Sequence, residues 1–280
     1  MGKLILNEQT VISFKNHLVE EEKSPLTVEK YLRDVKAFLN WKNNKEITRK
    51  DAVLYKKQLE EVYSPTSVNS MLAGLNSFFE FCGMPQMKVK PLKIQKSLFA
   101  EADRELSQAE YKRLITAAKN TKNERLSLVM QVICSTGIRV SELRFITVEA
   151  VEAGRAEVSS KGKRRTVFLR PEMKQSLMRY AKKQGIISDC IFLSKKGNPL
   201  NRHKVWADMK SLCMAADVAP EKVFPHNLRH LFARTFYSID KDLGRLADIL
   251  GHSSINTTRI YTMECGKEHI RLLRKMPLLI

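Results

Sequence analysis

Two stretches, SPLTVEKYLRDVKAFLNW from Ser24 and SPTSVNSMLAGLNSFFEF from Ser64, constrain the fold of this chain most sharply. Each opens with Ser placed to cap a helix and Pro at the first helical position, where the missing N–H loses nothing and φ is preset. Val28, Leu32, Val35, Phe38 and Leu39 in the first correspond to Val68, Leu72, Leu75, Phe78 and Phe79 in the second. Apolar residues at that spacing line one helix face, so the stretches predict two amphipathic helices sharing a core. Shorter amphipathic patterns precede each, near 8–22 and 49–62, and the four together predict a helical domain over residues 1–84.

The next segment changes character. FCGMPQMKVKPLKIQKSLFA, residues 81–100, has no acid, two prolines and the lysines Lys88, Lys90, Lys93 and Lys96. Such a composition predicts an extended basic linker over 85–103, able to lie along a phosphate backbone or simply to join two domains. From 104 to 280 helical patterns return, near 107–119, 123–135, 140–146, 171–184, 201–216, 226–239, 242–250 and 254–262. Between them RAEVSSKGKRRTVFL alternates around Lys161-Gly162, which predicts a β-hairpin with a basic tip. The fold class is therefore mainly α with a small antiparallel sheet, an α+β domain behind a four-helix domain.

Charge indicates the partner. Lys plus Arg number 49 against 30 Asp plus Glu, a formal +19 in a chain that is 43% hydrophobic. A folded protein so basic points to a polyanion, nucleic acid before membrane surface. Residues 1–100 carry 16 basic and 11 acidic side chains, leaving 33 and 19 for the rest, so the larger domain is the stronger candidate for that ligand. No apolar run approaches the roughly 20 residues of a spanning helix, and Met1 to Thr10 has no signal pattern. Cys82, Cys134, Cys190, Cys213 and Cys265 are odd in number and set among apolar neighbours, which predicts buried thiols in a reducing cytoplasm.

Four places in the larger domain put reactive or cationic groups where a structural role is awkward. In STGIRVSEL, Arg139 starts a helix against the macrodipole, so its charge is needed by a ligand or by Glu142. The hairpin tip offers Lys161, backed by Lys163, Arg164 and Arg165, for a phosphate or merely for solvent. In FPHNLRHLFARTF, His226, Arg229 and His230 stand at i, i+3, i+4 on one helix face and call for an anion, a metal or a buried carboxylate. In LADILGHSSINTTRIYTM, His252 follows Gly251 at a helix end and Tyr261 lies nine residues on, a tyrosine that alone reads as a core or boundary residue. Zinc fits poorly, because Asn227 occupies the place of a zincin Glu and Arg229 would crowd the metal with charge. Phosphate fits better, since two arginines offer bidentate forks to its oxygens and histidines can donate or move protons.

The motifs TGIRVSEL, KGK in a hairpin, HNLRH, LGHSS and TRIYT, in this order and spacing, resemble those of the tyrosine recombinase (phage integrase) family. The resemblance spans residues 104–265 by motif, and the first domain is similar to the family's SAM-like core-binding domain, as in compact two-domain Xer-type members. It implies a two-domain clamp on double-stranded DNA with Arg139 and Arg229 gripping the scissile phosphate. Tyr261 would attack that phosphate to form a 3′-phosphotyrosyl bond. Lys161 would protonate the departing 5′-oxygen, with Lys163 the substitute because the turn is short; His226 would assist proton transfer, His252 would bind the phosphate, Glu142 would orient Arg139, and His230 would be structural. A tyrosine, with its ordinary pKa of about 10, needs cations and a base to become a nucleophile, and this set supplies both. No metal or other cofactor is implied. Lys88, Lys90, Lys93, Lys96, Lys163, Arg164 and Arg165 are the expected DNA contacts.

The resemblance further implies a monomer that becomes a tetrameric synapse on DNA, with an accessory DNA-bending protein or second recombinase as possible partners and none in a membrane. The apolar end Met276 to Ile280 would dock on a neighbouring protomer or back on its own domain. A type IB topoisomerase would use the same chemistry without the tetramer, and a non-catalytic DNA-binding relative would keep the charge but give Tyr261 no purpose beside those cations.

Overall fold

The computed structural model describes residues 8–43, 47–94, 104–160, 162–194, 196–262 and 274, with the backbone alone for Ser160, Lys163 and Thr262. Lys96, Lys161, the Lys163 side chain, Cys265 and the tail Met276 to Ile280 lie outside what is described. The chain divides into two compact units, Met1–Lys96 and Ser97–Ile280.

The first unit is built on four helices, α1 (Glu8–Glu20), α2 (Pro25–Lys42), α3 (Arg49–Val62) and α4 (Pro65–Phe81). Ser24 caps α2 by accepting from the Thr27 N–H, and Pro occupies the first turn of both α2 and α4. The predicted apolar faces meet: Val28, Val35, Phe38 and Leu39 of α2 pack with Val68, Leu72, Leu75, Phe78 and Phe79 of α4 in one buried cluster. Leu32 is the exception, packed at the edge of that cluster without being fully buried.

Residues 85–92, expected in the linker, are docked on this unit. Asn76 donates to the Val89 carbonyl and accepts from its N–H, both at 2.9 Å, and Asn69 does the same for Leu92 at 2.9 and 2.7 Å. Arg49 donates to the Gln86 and Lys88 carbonyls, Lys56 to that of Lys90, and Val89 is buried. The amides of α4 thus serve this arm as an edge strand would, which satisfies its backbone without a helix. Lys88 pairs with Glu80, while Lys90 and Lys93 are exposed.

The second unit carries α5 (Gln108–Asn120), α6 (Glu124–Thr136), α7 (Val148–Glu152), β1 (Arg155–Ser160), β2 (Lys163–Phe168), α8 (Pro171–Gln184), α9 (Arg202–Lys210), α10 (Cys213–Ala216), α11 (Pro225–Ile239), α12 (Leu243–Leu250) and α13 (Ile255–Thr258). Three expected helices differ. Val140–Phe145 is 3-10, and 201–216 breaks into α9 and α10. The helix expected over 254–262 is α13 followed by a 3-10 turn, Arg259–Thr262. Strands β1 and β2 pair antiparallel with Ser160 opposite Lys163, leaving a two-residue turn in which Gly162 takes φ +75°. The main core gathers α5, α6, α8 and the inner faces of the hairpin, and a smaller cluster joins Ala233, Leu246, Leu250 and Tyr261. Cys190 and Cys213 are buried, Cys82 and Cys134 half-buried, and all four are free thiols. Burial pushes the Cys134 thiol up to about 12, which keeps it protonated and inert. Among the described residues no helix is long and apolar enough to cross a membrane.

Candidate active site

Arg229 organises the site. It lies on α11, only 1% exposed, yet it is a cation. Its tolerance has a clear source: Nη1 donates to the Gly137 carbonyl at 2.5 Å and Nη2 to the Leu250 carbonyl at 2.7 Å. Those carbonyls close α6 and α12, each capped by a glycine in the left-handed region, Gly137 at φ +67° and Gly251 at φ +66°. The guanidinium therefore bridges the negative ends of two helix dipoles. Gly137 is required there by space as well, since a Cβ would meet Phe232 at 2.4 Å. The third partner of Arg229 is His252, whose Nε2 lies 2.9 Å from Nη2. The Arg229 Nε is buried with no hydrogen-bond partner, a donor left available in the middle of the site.

The remaining residues surround it. His230 packs its ring edge-on against Tyr261, centroids 4.7 Å apart, and against His226 at 4.6 Å. His252 stacks on Tyr261 at 5.8 Å and meets Thr258 Oγ1 through Nδ1 at 2.8 Å. Tyr261 is 6% exposed and acts on Arg229 as charge and hydrogen-bond partner. Arg139 begins the Val140–Phe145 turn, with its backbone N–H and Nη1 donating to Glu142 at 2.8 and 3.0 Å. The i, i+3, i+4 face of α11 and the two glycine-closed helix ends thus bring Arg139, His226, Arg229, His230, His252 and Tyr261 together, with Glu142 behind Arg139.

Arg165 does not follow its expectation as a surface DNA contact. It turns inward, placing Nη1 and Nη2 on the Glu142 carboxylate at 3.1 and 2.7 Å and Nε on the Ile249 carbonyl at 3.0 Å. Its register gives the reason: Arg165 pairs opposite Val158, and it is two residues from buried Val167, so all three share the inner face of the hairpin. That period was present in the sequence, and the run of cations concealed it. Arg164 points outward and is exposed. Thr258, absent from the expected set, is wholly buried and carries the His252 contact.

The electrostatics follow from burial and crowding of cations. Burial first, then Arg139, lowers Arg229 to about 10, with Tyr261 and Glu142 opposing the shift. Burial, then Arg229, Arg139, His226 and Arg165, brings His252 down to about 4; burial, then His226 and Arg229, does the same for His230. His226 keeps an exposed edge, but partial desolvation of its ring, then Arg229, Arg139 and Arg202, pushes it below its ordinary value as well. All three imidazoles are neutral at pH 7. Burial raises the Glu142 carboxyl, but its hydrogen bonds and charge pairing with Arg165 and Arg139 outweigh this and hold it below the usual range. Among the described residues no group of three or more His, Cys, Asp or Glu is placed to hold a metal ion.

Two arginines and neutral histidines around one tyrosine, on a mainly helical unit that follows a helical domain in the sequence, make the constellation of a tyrosine-dependent phosphoryl-transfer enzyme. The chain belongs to the phage integrase family, whose model matches residues 104–266, and the phage integrase N-terminal SAM-like domain matches residues 11–83. Curated relatives are tyrosine recombinases. XerA of Thermococcus kodakarensis is 27% identical over 97% of this chain and 96% of its own length; XerD of Pseudomonas aeruginosa is 31% identical over 84% and 86%. Among solved structures, XerA recombinase is 27% identical with TM-score 0.54, covering 97% of this chain and 99% of that one. A lambda integrase dimer bound to a COC′ core site shares the fold at TM-score 0.73 and 19% identity, over 93% and 96%.

Proposed function

We propose that this chain is a site-specific DNA recombinase that cuts and rejoins strands through Tyr261, and the observation that carries the reading is a tyrosine packed on His230 and His252 beside a buried arginine. In the first step the Tyr261 oxygen attacks the scissile phosphorus while the bond to the 5′-oxygen breaks. The tyrosyl proton leaves by way of His226, and the 5′-oxygen takes a proton from the hairpin, for which Lys161 is the candidate and Lys163 the alternative. Arg139 and Arg229 stabilise the charge that builds on the non-bridging oxygens. An arginine has five N–H donors, and three of those of Arg229 are held by Gly137, Leu250 and His252 while Tyr261 is a further hydrogen-bond partner, so Nε remains for substrate. Because the phosphotyrosyl bond conserves the energy of the broken diester, a 5′-hydroxyl from another strand can reverse the attack and complete an exchange.

Relatives solved on DNA include a lambda integrase tetramer bound to a Holliday junction. We extend that assembly to this chain as a tetramer on two duplexes in the cytoplasm, with Lys90, Lys93 and Arg164 on the phosphate backbone. The test is a nicked suicide duplex incubated with the protein, with and without EDTA, followed by denaturing electrophoresis. An adduct that survives EDTA and disappears in Tyr261→Phe, while duplex binding persists, is the expected result. An adduct that persists in Tyr261→Phe removes Tyr261 as the nucleophile.

A further inference from the structure

We infer that Thr258 is a positioning residue that accepts the Nδ1 proton which Arg229 imposes on His252 and keeps it there, so that arrival of a phosphate converts His252 from acceptor to donor. The inference rests on the recombinase reading for its consequence but not for its starting point, which is a chain of hydrogen bonds. Arg229 Nη2 can only donate, so the His252 Nε2 that it meets at 2.9 Å must accept. A neutral imidazole that accepts at Nε2 carries its proton on Nδ1, and Nδ1 lies 2.8 Å from Thr258 Oγ1, which must then accept. Thr258 is wholly buried on α13, three residues before Tyr261, so the residue that receives the Nδ1 proton travels with the tyrosine-bearing element.

In this state His252 offers a phosphate no donor, since its only N–H is turned away toward Thr258. A phosphate oxygen that takes over Arg229 Nη2 releases the Nε2 lone pair. Nε2 then binds a proton from solvent and donates it to the phosphate, while Nδ1–H stays on Thr258. The groups facing His252 are Arg229 and His226 from α11, Arg139 ahead of the 3-10 turn, Arg165 from β2, and Tyr261 stacked on its ring. Those cations suppress the imidazolium in the free protein, and a phosphate dianion or monoanion cancels them. Without Thr258 the imidazolium would hold a buried N–H with no acceptor, and the form that binds phosphate would be lost first at higher pH.

The test has two arms. Long-range ¹H–¹⁵N correlation on the histidine-labelled full chain without DNA, with His252 assigned by His252→Asn, reads the tautomer directly. The Nδ1–H pattern is expected, and an Nε2–H or averaged pattern overturns the inference whether or not the chain recombines DNA. On the suicide duplex at saturating protein, Thr258→Val should slow single-turnover adduct formation about tenfold. The decline of rate with rising pH should move to lower pH, and Thr258→Ser should restore both. A Thr258→Val rate within about twofold of the parent, with an unchanged pH profile, overturns it. If Thr258→Val does not fold by circular dichroism, the tautomer measurement on the parent chain still decides. Absence of adduct from the parent chain would instead count against the recombinase reading, leaving the tautomer arm to judge Thr258.

Discussion

At the scale of single residues, the site is a problem in keeping cations buried, and each solution makes a prediction. Glu142, 2% exposed, is shared by Arg139 and Arg165, so Arg165 ties the hairpin to the carboxylate that holds Arg139. Arg165→Ala should lower the adduct rate by about tenfold or more while leaving the salt dependence of duplex binding unchanged. Arg164→Ala, on the opposite face, should reduce the slope of log K against log salt by about 0.9 with little effect on cleavage. Equal salt slopes lost in both variants would return Arg165 to the DNA surface. The histidines give a pH prediction. His230 and His252 have folded values of about 4 against an ordinary 6.5, so the unfolded chain binds their protons first. The stability they contribute is complete above about 6.5 and is lost as pH falls toward 4, on the order of 2–3 kcal/mol each before solvent screening. Urea midpoints should therefore fall between pH 7.5 and 4.5, and His230→Gln should flatten the fall; an unchanged midpoint in the parent would mean the rings are solvated.

At the scale of elements, two helix ends and one helix face define the clamp. The C-termini of α6 and α12 aim carbonyls at Arg229, and the glycines that end them are needed for positive φ and for close approach. Gly137→Ala puts a Cβ in the left-handed region and against Phe232, so a loss of about 2–5 kcal/mol is expected by urea denaturation, with cleavage falling further as the Gly137 carbonyl shifts. A loss under about 1 kcal/mol would mean that the Phe232 ring swings aside at little cost. The period of the helices was legible from the chain: α2, α4, α6 and α11 lie where their apolar spacing placed them. The docked arm 85–92 was not, because its fixed backbone depends on Asn69 and Asn76, whose amides could as well have faced water.

At the scale of the whole molecule, +19 is carried unevenly, with +5 on residues 1–100 and +14 beyond. If each protomer neutralises six to ten phosphates, affinity for a duplex should fall about 10³- to 10⁵-fold between 50 and 200 mM salt. A flat response in a filter-binding titration would contradict charge as the source of binding. The sequence by itself determined the four-helix domain, the hairpin and the candidate residues of the site, because helical and strand periods and the type of each reactive group are local properties of the chain. It also carried the motifs by which the family is recognised. Only the tertiary structure decided which of those groups touch: that Arg165 serves Glu142 instead of solvent, that Thr258 holds His252, and that Arg229 spans the ends of two helices. Contacts between residues 6 to 92 positions apart depend on how the elements pack, and burial alone turns a surface-like cation into one that must find carbonyls or a carboxylate.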